Sequence, residues 1–565
     1  MIRDGSSDEC SQLLDAIRQA PSAYAFAESF NDVRRLPTSM QTTPFVLISG
    51  TSSRPGISLS NHGLLPSIEP LTISTELVKR FPDGILPIAQ WTPLSVDNKY
   101  LTHLVNLFFT WDSALNHTIH RTAFLEGIKD PNASNTTKAC SGFLVHSLIA
   151  LSHLFIMQGA SQSQIKERRA RSREFADEAF RILDQQAPCP SIPLAQGLAL
   201  LWTYEVNYGQ QEVALTLINR FYLVYGALMK EYEGTSASLH EFDHTLKPAL
   251  DSTALVMWGF FCLEVKICST YSRAMRLDRP CFPRPGTSPN SSMPTDSGAT
   301  ESLWHLYPYT NRTQPSHFKK RLLYECQLAD LAFEASHFFE LSDNNNVGLG
   351  HHATRAIYDK VLAWNTGSVQ DFLLSKAHLP SVLSLEITFQ IMQIRLLDCL
   401  AQFSCSELER QTINSTKASH GASIISSLAL YRALYGVRHE YCHVNACFTA
   451  VTALQSDGGA NPGLTKSVAV ACELLLTCGL YLPLANGYLW TVKALEVQQQ
   501  KGLPEACMKV FSKLAVRERR TRLKNVNVVT FEQNREGFGT IRPLGLPCTV
   551  TFSGLIESLQ LCEEG

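Results

Sequence analysis

No C-x2-C pair occurs among the 16 cysteines of this 565-residue chain. Only Cys10 precedes Cys140, so the amino-terminal part of the chain is almost free of thiols. Zinc sites of the usual kinds need closely spaced cysteines, which bring several thiolates onto one metal ion. The spacing therefore predicts no metal site. No secretory signal follows Met1, so we expect reduced thiols that pack as small apolar core residues.

Several catalytic patterns are missing as well. The chain has no G-x-S-x-G elbow, no G-x-x-x-x-G-K-S/T loop and no G-x-G-x-x-G after a strand. Scattered acids such as Asp112, Glu205 and Glu264 fall within helical segments. Acids in such positions more often cap, pair or face solvent than act in catalysis. We therefore predict no enzyme, no catalytic residue and no bound cofactor.

Two segments match the H-E-x-x-H pattern, from His240 to His244 and from His439 to His443. On a helix, histidines at i and i+4 share a face and can hold zinc, with the glutamate as general base. Pro248 closely follows the first segment, which favours a loop or a very short helix. The second segment starts an amphipathic helix and has the better geometry. We interpret both as capped or surface histidine pairs, with a metalloprotease as the less favoured alternative.

Neither excess charge nor a long apolar run is present. The formal net charge is -2, with 18% charged and 45% apolar residues, which is typical of a globular protein and gives no electrostatic signature for nucleic acid. The longest apolar stretches, 143–157 and 468–485, fall short of the roughly 20 uninterrupted apolar residues that a membrane helix needs. We predict buried helices there and no membrane partner.

Apolar residues at helical spacing dominate what the chain does contain. Leu101, Leu104, Val105, Phe108 and Phe109 recur on one helix face. An all-α fold, a large multi-helix bundle, is therefore predicted. The same periodicity predicts further helices over 143–157, 166–186, 194–207, 214–232, 252–275, 319–339, 352–366, 380–403, 415–435, 444–454, 466–480 and 489–499.

Composition divides the chain into three parts. Residues 1–90 are mixed and contain a stretch rich in Ser, Thr, Pro and Gly, which predicts an irregular N-terminal segment or linker. Residues 91–500 form the predicted helical domain. Residues 501–565 form a C-terminal extension, in which 525–552 are expected to be a minor irregular or β-like tail.

Two basic runs stand out in an otherwise nearly neutral chain. A charge run is usually a solvated helix face, and its functional alternatives are a nuclear localisation signal or phosphate contacts. We prefer the first run for nuclear import because it leads a predicted surface helix, and the second is an alternative basic patch. No aromatic residues interleave with either run, which weakens a stacking site for nucleic acid. The first run holds Lys166, Arg168, Arg169, Arg171 and Arg173, and the second holds Arg517, Arg519, Arg520, Arg522 and Lys524.

Several ordered segments resemble the fungal-specific transcription factor domain, the middle homology region of fungal Zn2Cys6 transcription factors. Leu104 to Trp111 is similar to the family's first helix, which ends on an aromatic-Thr-Trp step. Cys140 to Leu151 resembles its Cys-Ser-x-Leu-Leu-x-Asn-x-x-x-Ala-Leu helix, with His146 in place of Asn. Arg279 to Pro283 resembles its Gly-Arg-Pro turn, with Asp278 in place of Gly. The other similar segments are His120 to Leu125, Trp258 to Glu264, Leu379 to Leu383 and Tyr431 to Arg438.

The resemblance covers about residues 91–498 and implies a function for the chain. It implies a helical regulatory domain of a nuclear transcription regulator that controls a metabolic or specialised-metabolite gene set. The implied partners are the transcription machinery or a DNA-binding partner protein, with a small-molecule effector as a further candidate. A ligand pocket could be lined by four aromatic side chains, although core packing is the preferred interpretation of each. These are Trp202, Tyr204, Trp258 and Phe261.

DNA reading in the family is carried by the zinc cluster, whose six cysteines hold two zinc ions. The cysteine spacing of this chain predicts no such cluster. Zinc and direct DNA contact are therefore expected only if a cluster exists upstream. The alternative function is a non-DNA-binding all-α scaffold or enzyme that reuses the fold.

Overall fold

The computed structural model describes residues 73–517, apart from 131–138, 186–188, 239–246, 272–274, 286–302, 310–312, 342–346, 378, 404–405, 436–440, 456–461 and 500–504. Most of the predicted N-terminal segment and the whole predicted tail over 525–552 therefore lie outside the described residues. The first H-E-x-x-H segment, His439 and Glu440 of the second, and the basic run beyond Arg517 lie outside them as well.

Within the described residues the chain is built almost entirely of α-helices, which confirms the predicted all-α class. One short antiparallel hairpin, β1 (Leu303–His305) with β2 (Thr313–Pro315), pairs Trp304 with Gln314. The helices are α1 Thr75–Val78, α2 Asn98–Trp111, α3 Arg121–Lys129, α4 Gly142–Ser152, α5 Leu154–Met157, α6 Gln162–Gln185, α7 Ile192–Asn207, α8 Gln211–Ser238, α9 Lys247–Tyr271, α10 Phe318–Leu341, α11 Val347–Trp364, α12 Ser368–Ser375, α13 Pro380–Phe403, α14 Glu407–Tyr435, α15 Tyr441–Gln455, α16 Pro462–Cys478, α17 Pro483–Gln499 and α18 Glu505–Arg517, with 3-10 turns at Ile88–Trp91 and Asn116–Thr118.

Capping residues set where the central helices begin. The Asp97 carboxylate accepts a hydrogen bond from the Lys99 amide at 3.1 Å, and the Ser141 hydroxyl accepts one from the Leu144 amide at 3.1 Å. Ser191 caps α7 in the same way, with Pro193 in the first turn. These residues satisfy amides that have no partner within the first helical turn.

Helix α4 is buried on every side, as its lack of a polar face predicts. Its histidines remain compatible with the core because His146 Nδ1 lies 2.7 Å from the Gly142 carbonyl oxygen. His153 Nδ1 lies 2.7 Å from the Ile149 carbonyl oxygen in the same geometry. The predicted single helix over 143–157 is divided by a turn at His153 into α4 and α5. Helices α2, α6 and α7 pack around α4.

The main hydrophobic core is continuous from the amino-terminal strap, residues 73–97, to α18. It contains Ile73 and Leu86 at one end of the sequence and Phe511 and Leu514 at the other. The core therefore extends beyond both of the predicted boundaries at 91 and 500. A second, smaller core lies between α10, α11, α12, α13 and α14. It contains Tyr324, Val361, Phe372, Phe389 and Leu396.

Candidate functional site

The end of α2 forms a sharply held corner. The Trp111 indole donates a hydrogen bond to the Tyr307 carbonyl oxygen at 2.9 Å. The Trp304 indole of β1 donates one to the Thr110 carbonyl oxygen at 3.0 Å. The bond to Thr110 satisfies a carbonyl group in the last turn of α2, and both bonds fix the β-hairpin against the end of this helix. These contacts therefore fix the direction in which the chain leaves α2.

Asp112 follows as the C-cap of α2 and is buried. One carboxylate oxygen accepts hydrogen bonds from the amides of Ala114 at 3.0 Å and Leu115 at 2.6 Å. The other accepts a hydrogen bond at 2.8 Å from the hydroxyl of Tyr441, the first residue of α15. Burial raises the pKa of Asp112, although these donors and the charge of Lys266 oppose the rise. Asp112 thus joins the end of α2 to the start of α15.

Three buried side chains and the half-buried Lys266 meet just beyond this corner, and we call His117, Lys266, Arg321 and Glu325 the polar hub. The Glu325 carboxylate lies 3.0 Å from His117 Nδ1, 3.6 Å from Lys266 Nζ and 3.6 Å from Arg321 Nη1. Lys266 Nζ also donates a hydrogen bond at 2.8 Å to the Ser113 carbonyl oxygen. The hub therefore ties the α2 corner to α9 and α10.

Charge in the polar hub is set by competition between burial and neighbours. Burial alone would raise the pKa of Glu325, but His117, Lys266 and Arg321 outweigh it and hold the pKa far below its usual range. Burial lowers the pKa of His117 to about 4, with Arg321 acting in the same direction against Glu325. At neutral pH the hub thus contains a carboxylate, two cations and a neutral imidazole.

A glycine lets α9 approach the hub closely. A Cβ atom at Gly259 would overlap the His117 carbonyl oxygen, lie 2.7 Å from the carbonyl carbon and 3.0 Å from the Thr118 nitrogen. Contacts of that length are closer than a real side chain tolerates. Gly259 therefore allows the backbone of the Asn116–Thr118 turn to lie directly on α9.

A second buried ionic group lies further along α9. Arg395 of α13 donates a hydrogen bond to the Ser269 carbonyl oxygen at 2.8 Å and lies 3.4 Å from an Asp398 oxygen. Lys417 of α14 lies 2.5 Å from the other Asp398 oxygen, and Thr449 of α15 contacts the Arg395 guanidinium at 3.2 Å. Burial lowers the pKa of Arg395, although Asp398 opposes this. The group links α9 to the carboxyl-terminal helices.

The segment that resembles a Gly-Arg-Pro turn is held by three neighbouring helices. Tyr225 of α8 donates a hydrogen bond to the Asp278 carbonyl oxygen at 3.0 Å. The Trp258 indole of α9 donates one to the Phe282 carbonyl oxygen at 3.1 Å. Arg279 lies 2.6 Å from Asp330 of α10. Asp278 stands in place of glycine with an exposed position and with its backbone carbonyl bound by Tyr225.

The first basic run lies on α6, and most of its side chains have intramolecular partners. Arg168 is buried and its guanidinium donates to the Ile156 carbonyl oxygen. Arg169 lies over the Tyr208 ring, 5.3 Å from its centroid. Arg171 lies 2.5 Å from Glu174, and Arg173 lies 2.7 Å from the buried Glu205. Lys166 is exposed. Nuclear import through this run stays a prediction.

The second H-E-x-x-H segment contributes one described histidine. His443 of α15 is buried, and its ring centroid lies 4.6 Å from that of Tyr431 in an edge-on contact. Burial lowers the pKa of His443 to about 3. Among the residues that the structure describes, no group of three or more His, Cys, Asp or Glu side chains is arranged to hold a metal ion. His443 therefore packs as a neutral core residue.

The four aromatic residues considered for a pocket lie in the core. Tyr204, Trp258 and Phe261 are 1% exposed or less, and Trp202 is 9% exposed. Trp258 and Phe261 pack edge to face with ring centroids 5.6 Å apart. This arrangement fits the preferred interpretation of core packing.

Helix α9 contains an apolar stretch, Ser252–Ser269, that by length and composition could cross a membrane. Of this stretch 72% is buried inside the fold, and it carries Glu264 and Lys266 in its polar contacts. It packs against the Asn116–Thr118 turn, α10 and α13. Glu264 and Lys266 interrupt its apolar run, so the sequence predicts a helix over 252–275 but no membrane helix there.

The comparison with protein families finds one model that is similar to part of this chain. Residues 105–319 match the model of the fungal specific transcription factor domain. The matched region runs from within α2 to the start of α10 and contains His117 and Lys266 of the polar hub. The resemblance drawn from the ordered sequence segments is thereby confirmed.

Individual relatives are fungal transcription factors. The nitrogen assimilation transcription factor nit-4 of Neurospora crassa is 22% identical over 379 residues, which is 63% of this chain and 33% of that protein. The notoamide biosynthesis transcriptional activator notL' of Aspergillus versicolor is 27% identical over 259 residues, 45% of this chain and 38% of that protein. The nitrogen assimilation transcription factor nirA of Emericella nidulans is 23% identical over 380 residues, 65% of this chain and 41% of that protein.

The chain thus spans between 33% and 41% of the length of these relatives. No solved structure matches it.

Proposed function

We propose that this chain regulates transcription of a metabolic or specialised-metabolite gene set in the nucleus, through its helical domain. The observation that carries the proposal is the domain match over 105–319, together with relatives named for nitrogen assimilation and for notoamide biosynthesis. Its partners in this role are the transcription machinery or a DNA-binding partner protein, and a small-molecule effector is a further partner. No step of this role requires a catalytic residue.

The polar hub is the centre through which such a domain would respond. It joins residues of the matched region, His117 and Lys266, to Arg321 and Glu325, which lie just beyond that region. Asp112 and Tyr441 add a contact to α15. Buried ion pairs are directional and are costly to break. A displacement of the residues on one side of the hub would therefore also displace those on the other side. These contacts of the hub support a role in coupling the matched region to the helices that follow it.

Deletion of the gene followed by transcript profiling on different nitrogen sources tests the proposal. We expect a defined set of nitrogen-use or biosynthetic transcripts to change, and the intact chain to restore them. The variant Lys266→Met should fail to restore them, whereas Lys266→Arg, which keeps the charge beside Glu325, should succeed at least in part. Unchanged transcripts after deletion would contradict the proposal and favour the scaffold or enzyme alternative.

The matched control for the hub variant is Lys360→Met. Lys360 lies 2.8 Å from Glu334 in a pair that is 58% and 49% exposed. Such surface pairs contribute little to stability. Lys360→Met should therefore restore the transcripts as well as the intact chain does.

A further inference from the structure

Helix α8 has a buried face and an exposed face. On the buried face, Phe221 and Tyr225 pack against Phe260 of α9, with ring centroids 5.2 Å and 6.3 Å apart. Helix α8 also packs against α7. On the opposite face, Leu223 is 75% exposed. A single exposed leucine is common on protein surfaces, so the residues around it decide whether this face has a function.

The residues around Leu223 form a continuous stripe along α8. They follow one another at intervals of three and four residues, so they share one face of the helix. Each is exposed or half-buried, and none is acidic. We call them the α8 stripe, which consists of Val213, Thr216, Arg220, Leu223, Ala227 and Lys230.

Two cations flank the apolar centre of the α8 stripe. Arg220 lies about one helical turn before Leu223, and Lys230 lies about one turn after Ala227. Among the residues that the structure describes, neither cation makes an ion pair. An apolar partner that covered Leu223 would remove these charges from water, which costs free energy unless the partner supplies carboxylates.

Arg276 places a third cation beside the stripe. Its guanidinium donates a hydrogen bond at 3.3 Å to the side-chain oxygen of Asn219, which lies on α8. The guanidinium carbon lies 5.6 Å from the centroid of the Tyr222 ring. The exposed acids Glu231 and Glu233 follow the stripe near the carboxyl-terminal end of α8. The charge around Leu223 is therefore mainly positive.

We propose that the α8 stripe docks an acidic amphipathic helix of a partner protein. Apolar side chains of that helix cover Leu223 and Ala227, and its carboxylates pair with Arg220, Lys230 and Arg276. A helix presents both kinds of group to one surface when they alternate at intervals of three and four residues. The stripe is separate from the polar hub, so this inference goes beyond the proposed function and does not depend on it.

A second copy of this chain is a less suitable occupant of the stripe. In antiparallel packing about a twofold axis near Leu223 and Ala227, Arg220 of one copy would oppose Lys230 of the other. In parallel packing, each cation would oppose the same cation of the second copy. Both arrangements bring like charges together, which repel each other.

Binding of two synthetic peptides to the purified full chain tests the inference by fluorescence anisotropy. Both peptides are helices of about 18 residues, with leucine at i, i+3, i+4 and i+7 on one face. Glutamates flank the leucines in the first peptide, and lysines take their place in the second. The test variants are Leu223→Ser, which removes the apolar centre, and the double variant Arg220→Glu with Lys230→Glu, which reverses both charges.

We expect the intact chain to bind the glutamate peptide at least about tenfold more tightly than the lysine peptide, which corresponds to about 1.4 kcal/mol. Each test variant should bind the glutamate peptide about tenfold more weakly than the intact chain does. The double variant should also bind the lysine peptide more tightly than the intact chain does. A structural defect would weaken the binding of both peptides, so a reversed preference would show direct contact between charges.

Leu408→Ser is the matched control for the apolar side chain. Leu408 of α14 is also 75% exposed, but Glu407 and Glu409 flank it. The double variant Lys509→Glu with Lys513→Glu changes the net charge by the same amount on α18, which packs against α16. Both controls should bind the glutamate peptide like the intact chain. Circular dichroism should be the same for all variants, because the substituted side chains lie outside the core.

The inference would be overturned if the intact chain failed to bind the glutamate peptide, or if either test variant bound it like the intact chain. An equal loss of binding in the controls would also overturn it. Dimerisation of the intact chain in sedimentation, lost in Leu223→Ser and without peptide binding, would overturn it in favour of a second copy. Unchanged transcripts after gene deletion would refute the proposed function, whereas the peptide measurements would still decide this inference.

Discussion

At the scale of single residues, several polar side chains around the end of α2 and along α9 lie where a backbone or charged partner meets them. Asp112 accepts from two amides and from Tyr441, and Lys266 bridges the Ser113 carbonyl and Glu325. Glu264 of α9 accepts from the hydroxyl of Tyr222 at 2.9 Å. Removing one partner of such a group costs more free energy than the hydrogen bond itself contributes, because the remaining polar group is left buried without that partner.

Gly259 is the residue whose size matters most for the hub. Gly259→Ala should destabilise the protein by about 1–3 kcal/mol, because the added methyl group overlaps the backbone of His117. The measurement is the free energy of unfolding from denaturant titration of the full chain.

The matched control is Gly226→Ala on α8, where an added methyl group would meet nothing within 4 Å. That substitution should stabilise the protein by about 0.5–1 kcal/mol through helix propensity. Equal effects of the two substitutions would contradict the close approach of α9 to the Asn116–Thr118 turn.

At the scale of elements, long helices were predictable and short elements were not. The prediction of a helix over 380–403 coincides with α13, since its apolar period is sustained over more than six turns. Helices α1, α3 and α12 contain only four, nine and eight residues, and the hairpin strands contain three each. A segment of so few residues is too short to show an apolar period in its sequence. Tertiary contacts therefore determine its structure.

The candidate site shows the same limit. Asp112 and the pair His117 and His120 are visible in the sequence as isolated polar residues near the end of a predicted helix. Their partners Tyr441 and Glu325 are far away in the chain and lie in other helices. Periodicity describes one helix at a time and cannot say which distant side chain meets which. The sequence shows the basic run on α6, but it does not show that Glu205 is an ion-pair partner of that run.

Helix α6 offers a prediction at this scale. Arg173→Ala should lower the thermal midpoint of unfolding, because it leaves the fully buried Glu205 without its cation and removes a guanidinium from the Tyr204 ring. Scanning calorimetry of the full chain measures the change.

Arg181→Ala serves as the control on the same helix. Arg181 pairs with Glu178, and its guanidinium is 51% exposed, so solvent competes for its charge. The midpoint of this variant should match that of the intact chain. A similar decrease for both variants would mean that α6 responds to its total charge and not to the pair with Glu205.

At the scale of the whole molecule, several histidines are buried in the neutral form. Burial lowers the pKa of His117, His153 and His420 to about 4 and that of His443 to about 3. In the unfolded chain a histidine titrates near 6.5. Between about pH 4 and 6.5 the unfolded state therefore binds more protons than the folded state, and acidification favours unfolding.

Stability should consequently decrease as the pH falls from 7.5 to 5. Each histidine whose pKa is lowered to about 4 contributes a loss of about 2 kcal/mol at pH 5. Thermal midpoints across this pH range measure the effect. His153→Gln should reduce the decrease, and His352→Gln, at an exposed position of α11, should leave it unchanged. A pH-independent midpoint for the intact chain would contradict the burial of these histidines.

The position of the polar hub has a practical consequence for recombinant work. A fragment cut at the limits of the family match, 105–319, would keep His117 and Lys266 but lose Arg321 and Glu325. It would also lose helices α11 to α18, whose apolar faces cover the apolar faces of the fragment. Such a fragment should be insoluble when expressed alone. Soluble expression should instead require both the strap that starts at residue 73 and the helix that ends at Arg517.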